Sequence, residues 1–193
     1  MLPLWIKIIY TMFATVTIAV YAFKYPLGNF LWFSDIALML TMPALWFESG
    51  LLASMMAVSV LIPEIFWNIS FFGRCITGIR VSGLTDYMFD AQKPRYLRGL
   101  SLFHVFLPML LVWMISRLGY VQKALIAQTI LAWIVLVLTY GSTDPSENIN
   151  WVFGPGSTRQ NRLPALLYLG LLMIVFPILI YFPTHLLLMT LFP

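Results

Sequence analysis

The chain has 193 residues, of which 61% are hydrophobic and only 9% are charged. Soluble globular domains carry about 45–50% apolar and about 25% charged residues, so a surface facing water on all sides is excluded. The net charge of +4 is small and scattered over connecting segments. It reads as the orientation signal of a membrane protein and not as a nucleic-acid patch, so no nucleic-acid partner is expected.

In chain order, the apolar stretches run over 4–23, 27–47, 51–73, 100–118, 121–141 and 164–192. Each approaches or exceeds the ~20 residues a helix needs to cross ~30 Å of hydrocarbon. The expected fold is all-α: a polytopic integral membrane bundle of about six transmembrane helices, forming one domain over residues 1–193. The first stretch contains Lys7 but ends in Val20-Tyr21-Ala22-Phe23-Lys24 with no small-x-small cleavage signal. It reads as a retained first span. Between the third and fourth stretches, residues 74–92 carry Arg80, Asp86 and Asp90, a poor composition for a crossing. Ile76, Ile79, Leu84, Tyr87 and Met88 fit an interfacial helix there only loosely. The single cysteine, Cys75, excludes an internal disulfide. No internal repeat is visible, so the inverted-repeat pattern of many transporters is missing.

Six spans put both termini on one side, with Lys7, Arg117 and Lys123. The other side holds Lys24, Arg74, Arg80, Lys93, Arg95, Arg98, Arg159 and Arg162, and this excess assigns it to the cytoplasm. The expected localisation is therefore a plasma (inner) membrane with both termini outside. Two long connections, 74–99 and 142–163, gather the polar material on the cytoplasmic side. The second contains Glu147-Asn148-Ile149-Asn150-Trp151 and then Gly154-Pro155-Gly156, the composition of an ordered turn. The tryptophans mostly lie toward span ends, as an aromatic belt would.

Ionisable side chains inside membrane spans are costly and are functional candidates by default. Three occur here: Asp35, Glu64 and His104. Helical rise places Asp35 ~10 Å, Glu64 ~13 Å and His104 ~7 Å below the cytoplasmic face. Asn68 lies one turn from Glu64 on the same helix face. Four polar groups on three consecutive spans thus fall in one layer. Pro63, Pro43 and Pro108 free backbone carbonyls in those spans, which is tolerated beside protein or a water-filled cavity. The alternative reading is that the same groups hold helices together by hydrogen bonds. His185 falls near the outer face and reads as an interfacial histidine.

An acid, acid, amide and imidazole cluster suits general acid–base or metal chemistry. The leading expectation is a small membrane-embedded enzyme acting on a lipid-like substrate. His104 would be its general base, Glu64 and Asp35 would orient the imidazole or bind a cation, and Asn68 would stabilise an oxyanion. Any metal would be divalent and held by Asp35, Glu64 and His104. Arg74, Lys93, Arg95 and Arg98 would bind anionic headgroups of the membrane lipids that are the expected partners. The alternatives are a proton- or solute-conducting carrier, or a non-catalytic subunit with other membrane subunits as partners. Walker, dinucleotide, HExxH, CxxC and GxSxG motifs are all missing. Over one helix, Leu102–Pro108 resembles the His-x-x-x-Leu-Pro helix of the androgen-induced membrane hydrolases. The proline here is one residue closer to the histidine, and the Asn-His that precedes the family motif is missing, so the resemblance assigns no family.

Overall fold

The computed structural model describes every residue except Ser157. Among the described residues the structure is all-helical, with no strand. The helices are α1 (Leu4–Lys24), α2 (Phe33–Trp46), α3 (Gly50–Thr77), α4 (Asp86–Phe89), α5 (Arg95–Leu100), α6 (Phe103–Leu118), α7 (Ala124–Ser142), α8 (Ala165–Val175) and α9 (Phe182–Leu191). A six-residue π-helical segment, Phe176–Tyr181, joins α8 to α9, and a tight turn at Ser101–Leu102 joins α5 to α6. Five helical stretches are long and apolar enough to cross a membrane: Leu4–Lys24, Gly50–Thr77, Arg95–Leu118, Ala124–Ser142 and Ala165–Leu191. The shorter apolar helix α2 makes a sixth element. The chain is thus compatible with a multi-pass membrane protein.

The helix α3 is the central one. Its most apolar window is 56% buried, against 17–39% in the other long helices. The small residues Ala53, Ser54 and Ala57 are wholly buried and let neighbouring backbones approach closely. The outward faces of α1, α7, α8 and α9 expose Ile, Leu, Val and Phe, which a hydrocarbon solvent accepts. Both termini lie on one face of the bundle, here the terminal face. There the Leu2 amide and the buried Lys7 ammonium donate to Glu48 at 3.0 and 2.7 Å, in the turn after α2. On the same face the Val121 amide donates to Ser54, and Tyr120 meets His185 at 2.6 Å. His185 therefore stands near the end of the bundle and away from Asp35, Glu64 and His104.

Two boundaries differ from the sequence expectation. The stretch 27–47 is not one helix. Residues 27–31 form a single tight turn, the backbone extends at Trp32, and α2 begins only at Phe33. Its 14 residues cover ~21 Å, short of the ~30 Å hydrocarbon layer. Gly28 allows the turn to sit against the 142–163 connection, since an added Cβ there would meet the Thr143 methyl at 2.8 Å. The interfacial helix sought in 74–92 also reduces to the four residues of α4, because α3 runs on to Thr77 and ends at Gly78 in a left-handed conformation (φ 73°). Asp86 pins the segment back to Arg74 and Arg80.

Prolines free carbonyls in several helices, and side chains of neighbouring helices satisfy two of them. Pro108 leaves the His104 carbonyl without its usual donor, and the Asn68 amide fills the place at 2.7 Å. Pro177 does the same to Met173, whose carbonyl accepts from Trp133 Nε1 at 2.7 Å. Trp133 is thus an inter-helix donor within α7 and not a belt residue.

Candidate functional site

Glu64, Trp67 and Asn68 project from one face of α3, at the i, i+3 and i+4 spacing that stacks side chains on a helix. His104 is the second residue of α6, which packs directly on that face. Its Nδ1 lies 2.9 and 2.8 Å from the two Glu64 carboxylate oxygens. Glu64 is 2% exposed, so this contact is shielded from solvent. Opposite an ionised Glu64, which can only accept, Nδ1 would be the donor, and an imidazole protonated there alone would keep a lone pair on Nε2. The imidazole stacks between Trp67 and Phe103, with centroids 4.8 and 4.1 Å away. One carboxylate and two aromatic rings therefore fix the ring plane.

Asp35 is buried in the first turn of α2, and not two turns into a helix as the unbroken stretch implied. It accepts from the Asn29 amide at 3.1 Å and lies within electrostatic reach of His104 and Glu64. The three ionisable groups thus share one neighbourhood, with direct contact only between Glu64 and His104. Among the described residues no three His, Cys, Asp or Glu side chains are arranged to hold a metal ion. The divalent-metal expectation does not fit this geometry.

The oxyanion role expected of Asn68 does not fit either. Its Nδ2 donates both hydrogens to backbone carbonyls, those of Glu64 at 2.8 Å and His104 at 2.7 Å. Asn68 ties α3 to α6 and has no donor left for a substrate.

Sequence reasoning missed several members of the cluster. Tyr21 on α1 meets Ser101 at 3.0 Å, just before α6. Tyr87 on α4 faces Ser101 and Trp67, and burial pushes its hydroxyl well above the usual phenol range. Among the described residues Trp67 Nε1, buried near the Tyr87 hydroxyl, makes no hydrogen bond of ordinary length. Hydroxyls and aromatics are ordinary in membrane helices, so nothing in the sequence marked them.

Of the four expected headgroup residues, two are already engaged. Arg74 binds Asp86 at 2.8 Å and lies over the Phe89 ring at 4.3 Å. Arg98 donates to the Met88 carbonyl at 3.1 Å. Lys93 sits over Tyr25 and Tyr87, 5.5 and 5.9 Å from their centroids. Arg95 is exposed with no ion-pair partner among the described residues.

The described residues of the 142–163 loop close the same end. Asn148 donates to the Gly154 and Gly156 carbonyls and accepts from the Phe153 amide. Asn150 accepts from the Phe33 amide at 3.1 Å and donates to the Leu31 carbonyl at 2.7 Å. It therefore caps α2 from 117 residues away. A cleft of about 420 Å³ beside this loop, lined by Phe153, Arg159, Gln160 and Tyr168, contains no member of the cluster.

The chain matches no family model, no curated protein and no solved structure. The functional reading therefore rests on the site itself.

Proposed function

We propose that this is a membrane-embedded acid–base catalyst acting on a lipid-like substrate that reaches it from the leaflet opposite the terminal face. The observation that carries this reading is the Glu64–His104 contact, with Nδ1 against both oxygens of a buried carboxylate. A base held in one tautomer and orientation by a carboxylate is the arrangement that removes a proton from a hydroxyl or a water. Asp35 supplies a second carboxylate that stabilises the imidazolium once the proton is taken. The unpartnered Trp67 Nε1 is the donor available to a substrate oxygen, in the place first given to Asn68. In this reading Lys93 and Arg95 attract an anionic headgroup, and the basic excess on that face supports a cytoplasmic orientation.

The test is turnover of defined phospholipids and glycerolipids by the purified protein in bilayer discs. Wild type should convert one class, and Glu64→Gln and His104→Gln should abolish conversion while preserving expression and melting temperature. Full activity in a normally folded Glu64→Gln variant would refute the reading.

A second reading, a proton or solute carrier, is favoured by one observation. Deeper along α3, Gln128 of α7 donates to Ser59 at 3.0 Å, while Gln128 Oε1 and the Tyr181 hydroxyl are buried without partners. Such groups continue a polar line beyond Glu64. Proton flux into liposomes that is lost in Gln128→Leu but unaccompanied by lipid turnover would establish that reading instead.

A further inference from the structure

On the terminal face, α1 and α6 touch at one level and part above it. The Phe13 and Phe106 rings meet edge-on at 5.0 Å. Above them a groove of about 580 Å³ opens between Trp5 and Ile6 on one wall and Met109, Leu110 and Trp113 on the other, with Arg117 at its mouth. Met109, Trp113 and Arg117 fall four residues apart, so they line one stripe of α6. From Met109 to Arg117 the helix rises ~12 Å, close to the ~15 Å depth of one leaflet's hydrocarbon. The groove is therefore apolar along its length and cationic only where a headgroup would lie.

Arg117 is exposed and makes no ion pair among the described residues. The acidic residues are Asp35, Glu48, Glu64, Asp86, Asp90, Asp144 and Glu147, and of these only Glu48 lies on the terminal face. Glu48 is committed to Lys7. An exposed guanidinium at headgroup height, beside an apolar groove, matches the phosphate and acyl chain of an anionic phospholipid.

We propose that this groove is a binding site for one anionic phospholipid of the terminal-face leaflet. An acyl chain lies between α1 and α6, and the phosphate rests on Arg117. The site is separate from the acid–base cluster, none of whose members lines the groove.

Native mass spectrometry of the full-length protein, titrated with phosphatidylglycerol or with phosphatidylcholine of the same acyl chains, tests it. Wild type should retain the anionic lipid about fivefold better, the worth of one cation near a charged membrane surface. Arg117→Gln, an exposed change that leaves the core intact, should remove the preference. Lys123→Gln removes a charge from the same face outside the groove and should preserve it. Equal retention of the two lipids by wild type, an unchanged preference in Arg117→Gln, or an equal loss in Lys123→Gln would overturn the proposal.

Discussion

Replacing Asn150 by alanine should loosen the start of α2, though the two are far apart in sequence. Asn150 is 4% exposed and makes two hydrogen bonds, from the Phe33 amide and to the Leu31 carbonyl. Phe33 is the first residue of α2, and no local side chain caps that end. Loss of a capping side chain costs about 0.5–2 kcal/mol, and a buried group left without its partner about 1–3 kcal/mol; the two overlap here. Asn150 also has φ of 50°, a left-handed conformation in which alanine is worse than asparagine by about 1 kcal/mol. The sum is about 3 kcal/mol. At ~2–4 °C per kcal/mol for a chain of this size, Asn150→Ala should lower the melting temperature in detergent by ~6–12 °C. Asn150→Asp keeps the acceptor but sets a buried carboxylate oxygen against the Leu31 carbonyl, so it should not rescue the loss. Asn150→Gly relieves the backbone but restores no bond, so it should cost about 1 kcal/mol less than alanine. Melting of Asn150→Ala within ~2 °C of wild type, or of Asn150→Gly at the wild-type value, would refute the argument.

Asn68→Ala should cost about 1–2 kcal/mol by unpairing the His104 carbonyl. In a Pro108→Ala background a backbone N–H becomes available to that carbonyl, so a double-mutant cycle of melting temperatures should show the cost shrinking. Gly154→Ala should destabilise by about 1–3 kcal/mol, because its Cβ would overlap the backbone of Thr158, Arg159 and Gln160; thermal melts and proteolysis within 142–163 would report it. The Lys7 hydrogen bond, followed by that from the Leu2 amide, holds the Glu48 carboxyl below its ordinary value of 4.5. That contact stabilises the fold above the ordinary value and is lost as pH falls through the lowered one. Melting curves from about pH 7 to about pH 3 should show this loss in wild type, and a flatter profile in Glu48→Gln.

The bundle was legible because membrane spans are encoded by long local runs of one composition, and α1, α3, α6 and α7 carry such runs. The break before α2 was harder to see, since Leu27–Leu31 is as apolar as the helix that follows. The closeness of Glu64 and His104 was foreshadowed by depths within ~6 Å of each other on consecutive spans. What each residue does there was less accessible. Asn68 looked like a substrate donor until the carbonyl freed by Pro108 proved to occupy it. Trp67 and Tyr87 looked like interfacial aromatics, because composition does not reveal which way an aromatic ring faces. The cap from Asn150 to Phe33 joins segments with no local pattern in common, so only the folded chain shows it.

The shortness of α2 bears on the order in which the protein is assembled. A helix of fourteen residues that also carries Asp35 falls below the ~17–25 apolar residues a segment needs to partition into the bilayer by itself. Only Phe47, Glu48 and Ser49 separate α2 from α3, so the two enter as a helical hairpin, with the 28-residue α3 supplying the apolar surface. The opposite end of α2 then waits while another hundred residues are synthesised, because its cap resides at Asn150. A ribosome-stalled chain that ends before the 142–163 loop should therefore carry an inserted but unclosed hairpin. The backbone from Leu27 to Phe33 would remain open to protease until Asn150 emerges and seals it.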